Sequence, residues 1–522
     1  MRLLVFFLLF FVTPAHAQVE WAKFEYFDNV GGLNDADSPV RIADNEAADL
    51  KNVVFTTSGA IKTRDGYSRV NPTSLGSTTA TIGLFFYRTV AGTRYLVGVF
   101  DDDTIRKMDY NVGGGPDGTW DSITGSLVFS AGADNIANFA VGEDTLIIED
   151  GIGTTAPYSW AGTGNAAALG GSPPNATMVA YHKRHAFAAG NSSSPSTLYF
   201  SDLGDIANWT TGLSGNVSIE TNDGCTIRAI KPGFDALYIW KGGETCGSIW
   251  RLSGDDKDTF ELQRMIQGIG TLSPDSVDNI GNDFIFTDGN GDTYLYDGGI
   301  KLRLVSSKIQ GTLDAANFNR FQYLRSTVFD KDYYYSLSTA ANSTHNRVMV
   351  FDTVNLAWTK FTGMSANSLA VAKDDVGEDM LVFGDYAGFV NNYPDTSADA
   401  GGAIDFQYLT KQFHWPELPI NKTFRVLNVF SQQQGNYNLD VEVRADFESS
   451  GSTQSVNLLG SSSLWDTAVY DVDRWGGENL IVGRIEYDKE GQFFQINFTN
   501  DNLSEPVQID GFMPYIEPSD RI

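Results

Sequence analysis

The stretch TDGNGDTYLYD sets Asp288, Asn290 and Asp292 at alternate positions, hard oxygen donors in the spacing that opens a calcium-binding loop. Such a loop ends on a bidentate glutamate at its twelfth position, and Gly299 stands there instead. A hairpin turn built on Asp288-Gly289 and Asn290-Gly291 accounts for the same residues and is the preferred reading. Cys225 and Cys246, the only cysteines, are too few for a disulfide scaffold and read first as buried thiols. A bond between them, tying neighbouring strands of one sheet, is the alternative and requires an oxidising compartment. Five histidines, His16 among them, leave little for a zinc site or for imidazole acid and base work. Among 65 acidic residues none stands out as a glycosidase acid or base, and the Ser-x-Asp-x-Gly-x-Thr-Trp pattern of sialidases is missing. The Asn-x-Thr triplets at Asn175, Asn208 and Asn497 carry no weight in a chain this rich in Asn, Ser and Thr. The expectation is a protein with no catalytic residues and no cofactor.

What positions these residues is an all-β chain. At 522 residues, two or three modules are expected, and 53 glycines between short Thr-, Val-, Tyr- and Phe-rich runs are strand-and-turn chemistry. Windows with apolar residues at helical spacing are nearly absent, so helices should be few and short. An apolar strand leading through a turn to an aromatic-ended strand recurs seven times, with first strands centred near Leu96, Leu146, Phe187, Leu237, Phe284, Tyr334 and Leu381. Successive spacings are 50, 41, 50, 47, 50 and 47 residues. A period of roughly 40 to 50 residues with about four strands per unit is that of β-propeller blades, and predicts a propeller of six or seven blades over residues 75–395. Tyr199, Trp250, Tyr296, Trp358 and Tyr393, near the ends of second strands, should pack between blades as core.

Residues 394–402, PDTSADAGG, read as a linker. The longer alternating strands KTFRVLNVF, NLDVEVRADF, LIVGRIEY, QFFQINFTN and VQIDGFMPYI then predict a C-terminal antiparallel β-sandwich over 403–522. At the other end, residues 1–17 form a signal-like apolar leader with Ala-His-Ala before Gln18, too short to span a bilayer comfortably. Residues 18–74 read as an N-terminal arm. Within it Pro39 stiffens the approach to Asp44, which caps a short helix through NEAADLKN with Glu46 in its first turn, followed by the strand VVFTT and a turn at Ser58-Gly59.

The run GGLN, an acidic stretch with Ser-Pro, DNEA-DL-N, a strand, and then Gly59, Ile61, Arg64, Gly66 and Tyr67 in G-x-I-x-x-R-x-G-Y resembles the N-terminal signature of bacteriophage tail-hub proteins, the nozzle or packaged-DNA stabilisation proteins of short-tailed phages. LYFSDLGDIANW at 198–209 is similar to the family's strand-turn-Trp segment, and YLTKQFHWPELPINKTFRVLNVF with the closing QIDGFMPYIEPSDRI resembles its terminal β domain. The resemblance covers most of residues 24–522 and carries no catalytic motif. It implies a virion tail component and no enzyme: a homo-oligomeric ring, usually of six copies, below the portal-adaptor protein. That ring would carry tail fibres or spikes, hold packaged DNA and conduct it at ejection without sequence-specific binding. The formal charge of −29 suits a lumen that repels the DNA backbone, and it argues against a surface that grips phosphates. The leader departs from this pattern. It favours the alternative of a secreted or surface-exposed propeller acting as an adhesin or carbohydrate-binding protein, with a glycosidase less favoured. For a tail component, the leader should instead be retained and packed at an interface or against the host membrane.

Overall fold

The computed structural model describes residues 21–110, 115–243, 246–374, 376–415, 420–459 and 480–518; the leader expected at 1–17 lies outside them. The regular structure of the described chain is almost all β, with one α-helical turn at Gln310–Asp314 and 3-10 turns at Ser307–Ile309 and Phe318–Tyr323.

Each of the seven expected hairpins is present, as the second and third strands of a four-stranded antiparallel unit. Their second strands are continuous apolar runs because each is covered on both faces. Ala236–Gly242 is buried at every position. Alternate side chains of this strand serve two different interfaces: Leu237 and Ile239 join Phe187 and Phe200 on one side, while Tyr238 and Trp240 join Phe284 and Tyr296 on the other. The innermost strands, Thr81–Arg88, Asn138–Gly142, Met178–His182, Thr226–Gly233, Val277–Ile280, Ser326–Phe329 and Ser368–Lys373, lie against one another in that order, and the last lies against the first. The ring of sheets is therefore closed, as a β-propeller requires. Tyr199, Trp250, Tyr296 and Tyr393 sit on third strands and pack between sheets as expected. Trp358 lies instead on the fourth strand Ala357–Thr362, donating its indole N–H to the Val305 carbonyl at 2.7 Å.

The N-terminal segment is woven through the molecule. Gly66–Arg69 is the fourth strand of the last propeller sheet, antiparallel to Val390–Thr396. Ile61–Thr63 and Val53–Phe55 join a sheet formed by Leu480–Gly491, Lys422–Gln432 and Gln508–Pro518, to whose last strand Ala22–Lys23 also pairs. Glu46–Lys51 is a strand, which corrects the short helix expected there. It runs parallel to Ala357–Thr362 and antiparallel to Phe406–Thr410, and so merges a propeller sheet and the C-terminal strands into one ten-stranded sheet. Asp44, the expected cap, receives the Lys411 amine at 2.8 Å. Glu46 does reach back to the Ala43 amide at 2.8 Å, but Asn34 and the Lys308 amine also hold it, each at 2.8 Å. So short a segment gains little as an isolated helix, and the ladders on both of its edges outweigh local propensity. One apolar cluster runs without interruption from Leu313, Tyr335 and Trp358 to Phe424, Phe494 and Phe512, across the junction between the propeller and the C-terminal strands.

Candidate functional site

Asp288, Asn290 and Asp292 come together in the turn between Asp283–Thr287 and Thr293–Tyr296. One Asp288 carboxylate oxygen accepts the backbone amides of Asn290 and Asp292 at 2.8 and 3.0 Å. The Asp288 amide donates to the Asp292 carbonyl at 2.8 Å, and Gly291 takes φ +91° to close the loop. Burial pushes the Asp288 carboxyl up to about 6. The trio is organised as a hairpin turn, and among the described residues no cluster of three His, Cys, Asp or Glu is placed to hold a metal ion.

Two other groupings of polar side chains stand out. The first lies on the propeller axis. Arg325, fully buried, directly precedes the innermost strand Ser326–Phe329. Its Nε donates to the Asn367 carbonyl at 2.6 Å and one Nη to the Asn135 carbonyl at 2.7 Å. Asn367 in turn donates to the carbonyls of Thr81 and Ala133 at 3.2 and 3.0 Å. These residues stand at the starts of four consecutive innermost strands, the last two and the first two, so this polar plug of hydrogen-bonded side chains ties the ring together where it closes. On one side of the plug the Lys231 amine meets Asp278 at 2.7 Å, and Ser326 donates to the same carboxylate at 3.1 Å. Burial pushes nearby Asp275 up to about 7 against the pull of Arg325, with Asp278 adding to the rise. On the other side Arg320 grips Asp134 through two bonds of 2.8 and 2.6 Å. His345, bonded to Ser338 and to the Tyr323 carbonyl, is driven down to about 3 by burial and then by the Arg325 charge, so it stays neutral.

The second grouping is a clasp. Arg64, fully buried, makes a two-pronged pair with Asp399 at 2.8 and 2.5 Å and also donates to Asn52 Oδ1 at 2.9 Å and the Thr362 carbonyl at 2.8 Å. Asn52 reaches on to Thr362 and to the Asp405 carbonyl. The other signature residues serve the same junction. Ile61 is buried, and Tyr67 packs edge-on against Phe383. Gly66 passes so close to Ala398 that an added Cβ would lie 2.1 Å from its carbonyl oxygen. The stretch expected as a free linker thus supplies the anion of the clasp.

Cys225 and Cys246 are joined by a disulfide, which overturns the preference for thiols. It connects the residues just before Thr226–Gly233 and Gly247–Ser253, the first and third strands of one sheet, across the end of the strand between them. Close by, the buried Lys241 amine bonds the carbonyls of Ile219 and Glu220 and the Asp223 carboxylate, all within 2.7–2.9 Å.

Sequence reasoning missed both the axial residues and the role of Arg64. A signal was present: Asn135, Asp275, Arg325 and Asn367 all stand one to three residues before an innermost strand, one blade position repeated through the period. Polar residues that face a ring axis can be found by aligning units, but not by searching for catalytic motifs.

No family model matches the chain, and no curated protein matches it. Among solved structures, YCF48 from Cyanidioschyzon merolae is 10% identical, covering 63% of this chain and 98% of its own, with a TM-score of 0.38. PorZ, a bacterial surface component of the type-IX secretion system of Porphyromonas gingivalis, is 12% identical over 61% of this chain and 37% of its own, with a TM-score of 0.38. The extracellular domain of the hybrid two-component system BT4673 from B. thetaiotaomicron is 11% identical over 83% of this chain and 47% of its own, with a TM-score of 0.34. Similarity at this level carries no argument about function, which therefore rests on the residues of this chain alone.

Proposed function

We propose that the chain is a structural subunit of a bacteriophage tail, a seven-bladed propeller joined to a C-terminal antiparallel β-sandwich. Copies would form a ring below the portal-adaptor that retains packaged DNA, conducts it at ejection and offers attachment to fibres or spikes. The observation that carries this reading is the clasp: Arg64, Gly66 and Tyr67, from the stretch that resembles the tail-hub signature, lock the last propeller sheet to the C-terminal strands. A rigid subunit of that kind suits a ring under load. The plug of Arg325 and Asn367 on the propeller axis supports a duplex path between subunits and away from each propeller's own centre. The N-terminal strands are held within their own chain, which favours side-by-side docking over exchange of arms. Light scattering of the purified protein, alone and with its portal-adaptor complex, tests the reading. A ring of defined mass, about six copies, is expected in at least the second case, and a monomer in both overturns it.

The disulfide favours a second reading, an exported propeller that binds a surface or a carbohydrate, because such bonds persist in oxidising compartments. Intact mass of protein from particles separates the two. Absence from particles, together with Gln18 as the sole N-terminus of the protein recovered from the culture medium, would establish the exported form.

A further inference from the structure

We propose that the cavity at one mouth of the propeller axis binds a small polar molecule through a carboxylate or phosphate group, with Arg228 as the recognising cation. The cavity, of about 270 Å³, is lined by Arg228, Asn135, Thr177, Ser192, Thr226 and Gln322 among others. That is near the lower end of small-molecule sites, about 300 Å³, and suits a ligand of sugar size. Three observations converge on Arg228.

The first is backbone geometry. The innermost strand Thr226–Gly233 pairs regularly with its neighbour except between Ile227 and Ala229, where Arg228 is the extra residue of a bulge. A bulge costs ladder hydrogen bonds and re-aims one side chain, and the side chain it turns here lines the cavity. The second is charge pairing. In a chain of net charge −29 several confined cations have carboxylates: Arg64 has Asp399, Lys231 has Asp278, Lys241 has Asp223 and Arg320 has Asp134, whereas Arg325 and Lys422 are held by backbone carbonyls. Among the described residues Arg228 has no carboxylate within ion-pair distance, and its Nε is buried without a hydrogen-bond partner. Burial alone holds its guanidinium below the ordinary arginine range, with no carboxylate offsetting it. The third is the state of the cavity's own acid. Asp134 also lines the cavity, but Arg320 occupies both of its oxygens, so it does not neutralise Arg228. A guanidinium with no carboxylate partner, set in a cavity whose lining mixes polar side chains with Ile136, Met178 and Leu272, is placed to bind an oxyanion through parallel N–H bonds.

Calorimetry on the full chain tests this with inorganic phosphate, glucose 6-phosphate and glucuronate, each against chloride at matched ionic strength. At least one oxyanion should bind the wild type above the chloride control, and the phosphate and glucuronate arms tell which group is taken. Arg228→Gln should weaken that binding about tenfold or more while its melting temperature in chloride stays at the wild-type value. Equal binding by wild type and variant, or no oxyanion binding above chloride, overturns the proposal. Should the variant fail to fold, selenate soaked into wild-type crystals and located by anomalous scattering decides the matter. Selenate on the Arg228 guanidinium sustains the site, and its absence there removes it.

Discussion

Arg64 shows how much one side chain can organise. Its guanidinium is fully buried and meets four acceptor groups contributed by residues as far apart as Asn52, Thr362 and Asp399. Breaking a buried pair leaves the other charge without compensation, at about 3–5 kcal/mol. Arg64→Leu should therefore lower the unfolding free energy measured in urea by that order. Arg64→Leu with Asp399→Leu should recover much of the loss, and a double variant no better than the single one would refute the pairing argument. Asp332 gives a pH prediction. Burial, then the neighbouring Asp352 and Asp330 charges, push its carboxyl up to about 7, against about 4 in an unfolded chain. Folding thus favours the protonated form: its contribution is fully present below about pH 4 and is lost as pH rises through 7. Asp332→Asn, uncharged throughout, should match the wild type near pH 4 and exceed it at pH 8. Urea titrations at the two pH values would show this, and a variant weaker than wild type at pH 8 would contradict it.

At the level of elements, the sheet that holds Cys225 and Cys246 is the one where a covalent bond supplements the ladder. The cysteines are 21 residues apart, and closing a loop of that size restricts the unfolded chain by about 3 kcal/mol. Reduction, or Cys225→Ser with Cys246→Ser, should lower the melting temperature accordingly. Near-UV circular dichroism should retain native packing at moderate temperature, because Lys241 still anchors the adjoining loop through Ile219, Glu220 and Asp223. Unchanged melting in reductant would mean that the bond adds nothing to stability. Glu46–Lys51 makes the complementary point. Its composition allows a helical turn, yet it has strand partners on both edges, and those non-local bonds decide its conformation.

For the whole molecule, the consequence is that the propeller cannot be separated cleanly from what precedes and follows it. Residues 75–395 contain the seven hairpins, but Gly66–Arg69 completes the last sheet and the clasp anion is Asp399. A fragment of 75–395 would expose the edge of Val390–Thr396 and lose Arg64, so it should melt broadly or aggregate while the full chain unfolds in a single transition. Calorimetry of both would check this, and a sharp, native-like transition from the fragment would refute it. The shared cluster from Trp358 to Phe512 gives the same expectation for the C-terminal strands, which should not melt before the propeller.

The sequence by itself determined the all-β class, the place of each repeated hairpin and the strands after residue 402, because these depend on apolar periodicity and turn residues, which are local. It also located the Asp288 turn, whose hydrogen bonds span four residues. The tertiary structure alone decided what depends on partners distant in the chain. Whether NEAADLKN coils or extends depends on strands more than 300 residues away. Arg64 gains its meaning from Asp399, 335 positions on. Arg325 becomes a plug only because ring closure brings Asn135, 190 residues earlier, across the axis. The bond between Cys225 and Cys246 needed the first and third strands of one sheet to end side by side, a proximity fixed by register and invisible in spacing.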